Sequence, residues 1–499
     1  MRAMSWGMAL GFLVLSGVAR AGEGSASLRM PPLSAGEAKL LIYPPPEDLT
    51  GVEHLSRSRL YSVKINGKPS FVYHTDNYAS AHRRGEESAS FVYFSFAGGP
   101  VTVEVTSHVP VTSVKIRPGA FGITPVVKGD RITFTLAEPR KLSVEVNDRK
   151  NPLFILADEP DVPNPGATHY FGPGVHHIGL EFKLKSRETV YIAGGAVVEG
   201  TFLIDDEATG VEIRGRGILC GGEWSFDEFW RGIQAEEGVP IPKKSEKWGR
   251  PSMIRCPMGR HPHGTVVEGI CLVNSPGWVV PICGGDRRVC RNLKIVCWNG
   301  CTDGPWCHGD HGVLENCFIF NNDDCLHLIS GSHWVVRDNV IWGGYWGYPI
   351  VNRNFGFTGP QEDVLVENTY VLGGRLETIK IAEWEPTGKI VKKDFTFRNL
   401  HVEDYSTDVF LLVATKNMSL RNIVFENVVI DKRMRIVIKA SKDGPIDGVR
   451  FVNLTMNGKR ITTGSGDIIL ISPLLSLAPA NSRVRFSNKY YVPGIRAFF

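Results

Sequence analysis

From residue 39 to 156 apolar and polar positions trade places in short runs: LLIYP, RLYSVKING, SFVYFSF, VTVEVTS, SVKIRP, RITFTL and KLSVEVN. Side chains on a strand point to opposite faces with a period of two, so these runs predict strands with at least one buried face. The turn formers Asn66-Gly67, Gly98-Gly99-Pro100 and Lys128-Gly129-Asp130 separate them. The pattern predicts an antiparallel β-sandwich within residues 22–160, closed by a linker carrying Asp158-Glu159-Pro160, Pro163 and Pro165.

After Phe171-Gly172-Pro173-Gly174 the texture changes. TVYIAGGAVVEGTFLI and GVEIRGRGILCGG read as strand, glycine corner, strand. An asparagine then recurs between two apolar triplets: Asn292, Asn316, Asn339, Asn368, Asn399, Asn422 and Asn453, at steps of 24, 23, 29, 31, 23 and 31 residues. A unit of about 23 residues with short strands and Gly/Asn corners buries its apolar face only by stacking on its neighbours, which predicts a parallel β-helix over 161–499. Asparagine tolerates left-handed corners and can bond along a stack, so the repeated asparagines are expected to be structural. The stretch from Glu223 to His263, with Trp224, Trp230 and Trp248, interrupts one coil and reads as a long inserted loop.

Composition narrows the class. Fifty-four glycines and 31 prolines in 499 residues, with no long stripe of period 3.6, exclude a helical architecture. The net charge is only +4 with both signs interspersed, so no basic stripe points to nucleic acid. The leader MRAMSWGMALGFLVLSGVARA has a basic start, an apolar run and an Ala-Arg-Ala end, the pattern of an export signal over residues 1–21, and a secreted or periplasmic location is expected. No later run reaches about 18 apolar residues, so no membrane span is expected. All ten cysteines lie between Cys220 and Cys325 without paired C-x-x-C spacing, and most are expected as buried thiols with one or two bridges.

The chemistry concentrates in residues 299–346. Asp303 sits in a tight Cys301-Thr302-Asp303-Gly304 turn, and Asp323 and Asp324 follow about one repeat later. Adjacent coils would stack these carboxylates near the 4.8 Å strand spacing, all three opening on one trough. On a regular strand Asp323 and Asp324 would face opposite sides, so Asn321 and Asn322 are expected to end the strand before them. Carboxylates sharing a cleft push each other's pKa apart, leaving one protonated beside an ionised neighbour. Cleavage of a glycosidic bond needs that pair of states.

Thr302-Asp303-Gly304, then Asn322-Asp323-Asp324-Cys325-Leu326, then Ser330-Gly331-Ser332 resembles the catalytic core of the β-helix glycoside hydrolases of families 28 (polygalacturonases) and 49 (dextranase and isopullulanase). The resemblance spans residues 170–460 and implies a right-handed parallel β-helix and inversion at the anomeric carbon. It implies Asp323 as general acid, with Asp303 and Asp324 positioning and deprotonating water. Family 49 also carries an N-terminal β-sandwich. The chain departs from family 28 in having Gly344-Tyr345-Trp346-Gly347 where that family has Gly-His-Gly, and Thr378-Ile379-Lys380 where it has Arg-Ile-Lys. Val340-Ile341-Trp342 and Pro349-Ile350-Val351 resemble family 49, whose lysine after the Asp pair is replaced here by His327.

Around the acids, Trp346 and Tyr345 are candidates to stack on sugar faces, with Trp306 and Trp384 weaker ones. Lys380, Arg353, His327 and His308 are candidates to bind the substrate. Cys307, His308, Asp310 and His311 form a metal-like cluster in sequence, but a short loop on a coil more often lines a groove than gathers three or four ligands, and no metal or cofactor is expected. The expected partner is a polysaccharide or oligosaccharide and the expected state a monomer. Three other readings fit the same fold: a polygalacturonase-like pectin hydrolase, a polysaccharide lyase, in which Asp323 and Asp324 could hold Ca²⁺, and a carbohydrate-binding β-helix without catalysis.

Overall fold

The computed structural model describes residues 39–76, 88–222, 252–256, 262–282, 285–298, 302–344, 346–353, 359–374, 376–382, 388–403, 410–441, 443–462, 468–471 and 475–476. The expected leader, most of the insertion, Tyr345 and Trp384 lie outside these residues. Among the described residues every extended element is a β-strand, a single 3-10 turn at Gly119–Phe121 aside, and no helix is long and apolar enough to cross a membrane.

The first part forms two sheets. One has five antiparallel strands, including Tyr61–Ile65, Val101–Ser107 and Arg131–Leu136. Their burial alternates, as the sequence pattern requires for a sheet with one wet face. The other has seven strands, built around Ser88–Ala97, Leu153–Asp158 and Lys141–Val146. These three are buried on both faces. Val92, Phe94, Phe96 and Ile155 face the five-stranded sheet and share its core. Phe91, Tyr93, Phe154 and Leu156 point the other way and share a core with Val296, Phe318, Phe320 and Trp342 of the coil. The ring of Phe154 lies 4.8 Å from Phe318, 4.8 Å from Phe320 and 5.9 Å from Trp342.

Two groups of buried charges cross the same interface. Asp158 meets Lys294, Lys141 (3.4 Å) and Arg216 (3.7 Å). Arg117 bridges Glu145 (3.0 Å) and Glu403 (2.9 Å). Charges that leave water must be paired, and here the partners come from both sides.

The coil itself is two parallel sheets, one of 24 strands and one of seven. Inside, like positions stack in register: Ile213, Val267, Cys290, Leu314, Val336, Val366, Phe397 and Phe425 form one such column. At the outward position beside it the column reads Arg214, Glu268, Arg291, Glu315, Arg337, Glu367 and Arg398. Opposite charges alternate from coil to coil, with Arg214–Glu268 at 2.6 Å, Arg291–Glu315 at 2.5 Å and Arg337–Glu315 at 2.7 Å.

Left-handed corners define the repeat, as the asparagines suggested, with two shifts of register. The corner after Asn316 is Asp338 (φ 59°), and Asn339 is instead buried, its side chain accepting from Cys317 N at 2.9 Å. After Asn399 the same corner falls on Asn427, whereas Asn422 lies in a second column with His311, His333, Asp363 and Asp394. Asp shares with Asn the short polar side chain that tolerates φ > 0, so either can hold the corner. Asn368, Asn399, Asn427 and Asn453 bond side chain to side chain at 3.0 to 3.1 Å, the polar ladder that was expected.

The eight described cysteines are all buried free thiols; Cys283 and Cys301 lie outside the described residues. Burial pushes Cys290 up to about 11 and Cys297 and Cys317 up to about 12, so these sulfurs act as small apolar side chains.

Candidate active site

The strand Phe318–Asn321 ends before the carboxylate pair and the next begins at Leu326, so Asp323 and Asp324 lie in the bend between two sheets, free of strand alternation. Backbone pairing brings Asp303 alongside: Gly304 N donates to Asp324 O at 2.7 Å, and Val279 N to Asp303 O at 2.7 Å. Gly304 is required here, because a Cβ on it would lie 1.9 Å from the carbonyl oxygen of Cys325. The following coil presses equally close. Trp346 N and Gly347 N both donate to Asn322 O, and a Cβ on Gly347 would lie 1.9 Å from Asp323 C and Asp324 N.

The three acids are differently housed. Asp323 is half-buried, whereas Asp303 is 5% and Asp324 1% exposed. The expected trough open to all three is therefore narrower: one acid reaches the surface and two are buried, Asp324 against Tyr348 and Arg353 of the next coil. Asp324 is anchored at both oxygens, with Tyr348 N donating to Oδ1 at 2.8 Å and Arg353 Nη2 to Oδ2 at 2.8 Å. Asp323 is pushed well above the usual carboxylate range, first by removal from water and then by the charges of Asp303 and Asp324. Its own Oδ1 accepts from Asp324 N at 2.9 Å.

His327 lies fully buried beneath the acids, its Nδ1 3.6 Å from Asp303 Oδ2 and 4.0 Å from Asp324 Oδ2. Burial pushes the ring down to about 3, so it carries no charge near neutral pH. On the outer face of the seven-stranded sheet Trp306, His327, Val351 and Lys380 fall in one register column. Lys380 Nζ donates to Tyr348 Oη at 2.5 Å and stands 4.2 Å from that ring's centre. Burial lowers Lys380 and raises Tyr348.

Trp346 is 40% exposed on the coil that follows the acids, where a sugar face could reach it. Trp306 is 2% exposed and packs against Trp278 (4.7 Å between ring centres) and His327 (5.8 Å), so it belongs to the wall and not to the groove. His308 is buried two residues further along that strand and is not part of the group formed by Asp303, Asp324 and His327, whose donor atoms lie within 4.8 Å of one another. That group has the donor set and spacing for a metal ion. The Cys307-His308-Asp310-His311 cluster seen in sequence does not gather: His311 instead stacks on His333 at 4.6 Å. Tyr348 went unnoticed in sequence because it acts through its backbone N–H and through a lysine 32 residues away.

No family model matches the chain. The fold is shared with Dex49A from Penicillium minioluteum. That likeness has a TM-score of 0.68 at 16% identity and covers 85% of this chain and 96% of the other. An exopolygalacturonase from Thermotoga maritima aligns at 17% identity over 58% of this chain and 84% of that one, with a TM-score of 0.44. By sequence, a probable polygalacturonase from Arabidopsis thaliana is 22% identical over 178 residues, 32% of this chain. The match spans 39% of that relative's length.

Proposed function

We propose that the protein is an exported glycoside hydrolase that cleaves an α-linked polysaccharide or oligosaccharide with inversion. The observation that carries this is the unequal housing of three stacked acids. Asp323 faces two carboxylates and favours its protonated form, as a general acid for the leaving oxygen must. Asp324 is held by a guanidinium and a backbone N–H, and Asp303 stacks beside it to share a water. Proton transfer from Asp323 to the glycosidic oxygen would accompany attack of that water on the anomeric carbon, with its proton passing to Asp303 or Asp324. Exposed Trp346 supplies a sugar platform, and Lys380 and Arg353 border the groove. The shared fold with Dex49A and the partial likeness to a polygalacturonase support a carbohydrate substrate. In this reading residues 22–160 form a sandwich that backs the catalytic coil of 161–499.

The test is a screen of purified protein against α-glucans, pectic and algal polysaccharides, with the anomer of the first product read by NMR. Asp323→Asn should lower kcat by at least about 10² on whichever glycan is cleaved. Release of the retained anomer, or of an unsaturated product absorbing in the ultraviolet, would replace this reading with a retaining hydrolase or a lyase.

A further inference from the structure

The mechanism above leaves one buried group beside the acids without a task. We propose that His327 is the third polar contact of the attacking water, closing a seat whose other two sides are Asp303 and Asp324. The proposal rests on the hydrolase reading and adds to it a residue for the water.

Geometry carries the argument. Nδ1 stands 3.6 Å from Asp303 Oδ2 and 4.0 Å from Asp324 Oδ2. Both separations exceed a direct hydrogen bond, yet each is short enough for one molecule to bridge. Three atoms within 4.8 Å of one another leave a point about 2.8 Å from each of them, the length of a hydrogen bond to water. The ring is held for this: it is fully buried, edge-on to Trp306, and its backbone N–H is fixed to Pro305 O at 3.3 Å. A sugar ring cannot reach it without displacing the acids above.

The charges around the ring suit a contact that gives up no proton. Asp303 and Asp324 face it with negative charge, and Arg353 and the buried Lys392 act on it with positive charge. A neutral ring orients the water without quenching the carboxylates that must take its proton; an imidazolium would do the opposite. In the step, the water oxygen bonds to the anomeric carbon as the glycosidic bond breaks. One water proton goes to a carboxylate, the proton of Asp323 goes to the leaving oxygen, and His327 ends as it began. The same three donors could hold a cation, but the Arg353 guanidinium already stands 2.8 Å from the Asp324 oxygen that such an ion would need.

The experiment uses the full chain and the glycan that the parent hydrolyses, with His327→Leu and His327→Asn beside the parent. Asparagine keeps a polar atom near the Nδ1 position and leucine does not. His327→Leu should lose about 10² in kcat with KM within about threefold and the limbs of the pH profile unmoved; His327→Asn should recover at least about tenfold of that. If His327→Leu fails to fold by its thermal melt, His327→Phe keeps the ring's volume and carries the same expectation. Retention of kcat within about threefold in the apolar variant overturns the proposal, as does a rise in KM alone, which would make His327 a substrate contact. Loss of parent activity on dialysis against EDTA, restored by Ca²⁺ or Zn²⁺, overturns it in favour of a metal site. A parent that hydrolyses no glycan removes the hydrolase reading and this role with it, an outcome distinct from any difference among the variants.

Discussion

Asp324 and Arg353 cannot be separated cheaply. Both are nearly buried and 2.8 Å apart, so a neutral residue at 353 leaves a carboxylate with one anchor in a site that water hardly reaches. Arg353→Met should lower stability by about 3–5 kcal/mol, measured by denaturant unfolding, and abolish activity with it. Asp323 behaves in the opposite sense. Its proton affinity is raised by folding, so its contribution to stability is complete below the usual carboxylate range and is lost as pH rises through the raised value. Asp323→Asn cannot ionise, and it should therefore melt above the parent at pH 8 with the gap closing towards pH 4. An equal gap at both pH values would falsify the assignment of Asp323 as the strained acid. The three acids were legible in sequence because Gly and Asn corners mark where side chains escape strand alternation. Tyr348 and the burial of Asp303 were not, because they depend on how the next coil is laid down and no local pattern records that.

Elements here are read coil by coil, and their errors have a coil-sized cause. The corner column was recognised from asparagines, yet it passes through Asp338, and the count slipped where the strand Met418–Glu426 carries Asn422 of the second column and ends just before Asn427 of the first. The alternating Arg/Glu column escaped notice altogether, since its members are 20 or more residues apart and look like scattered surface charge. Glu315 stands between Arg291 and Arg337. Glu315→Gln leaves Arg291 and Arg337, on the two coils that flank it, without their shared acid and should cost about 1 kcal/mol at low salt, fading as salt is raised in the same melt. Close approach of coils sets the stricter limit. Gly347→Ala puts a Cβ against the backbone of Asp323 and Asp324, so it should lower kcat at least about tenfold and stability by about 1–3 kcal/mol.

For the whole molecule the decisive element is the first seven-stranded sheet, whose strands Ser88–Ala97, Lys141–Val146 and Leu153–Asp158 are buried on both faces. Its strands were legible in sequence as short apolar runs such as SFVYFSF; the burial of the second face was not, since the partners are more than 160 residues away, as Phe154 and Phe318 are. Deleting residues 22–160 would bare Phe318, Phe320, Val340 and Trp342 and leave Lys294 without Asp158. The remaining coil should be recovered as aggregate where the full chain stays in solution, as read by size-exclusion chromatography.

The same double burial sets an order of events at birth. The strands that carry Phe91 and Phe154 leave the ribosome long before the coil that will cover them has been made. A nascent chain in that state displays an oily surface with no mate, the condition under which unfinished proteins stick to one another. Keeping that surface unwound until residue 342 has emerged solves the problem. A holding chaperone, or passage through a membrane before folding, would do so, and biosynthesis of this protein should depend on such a delay.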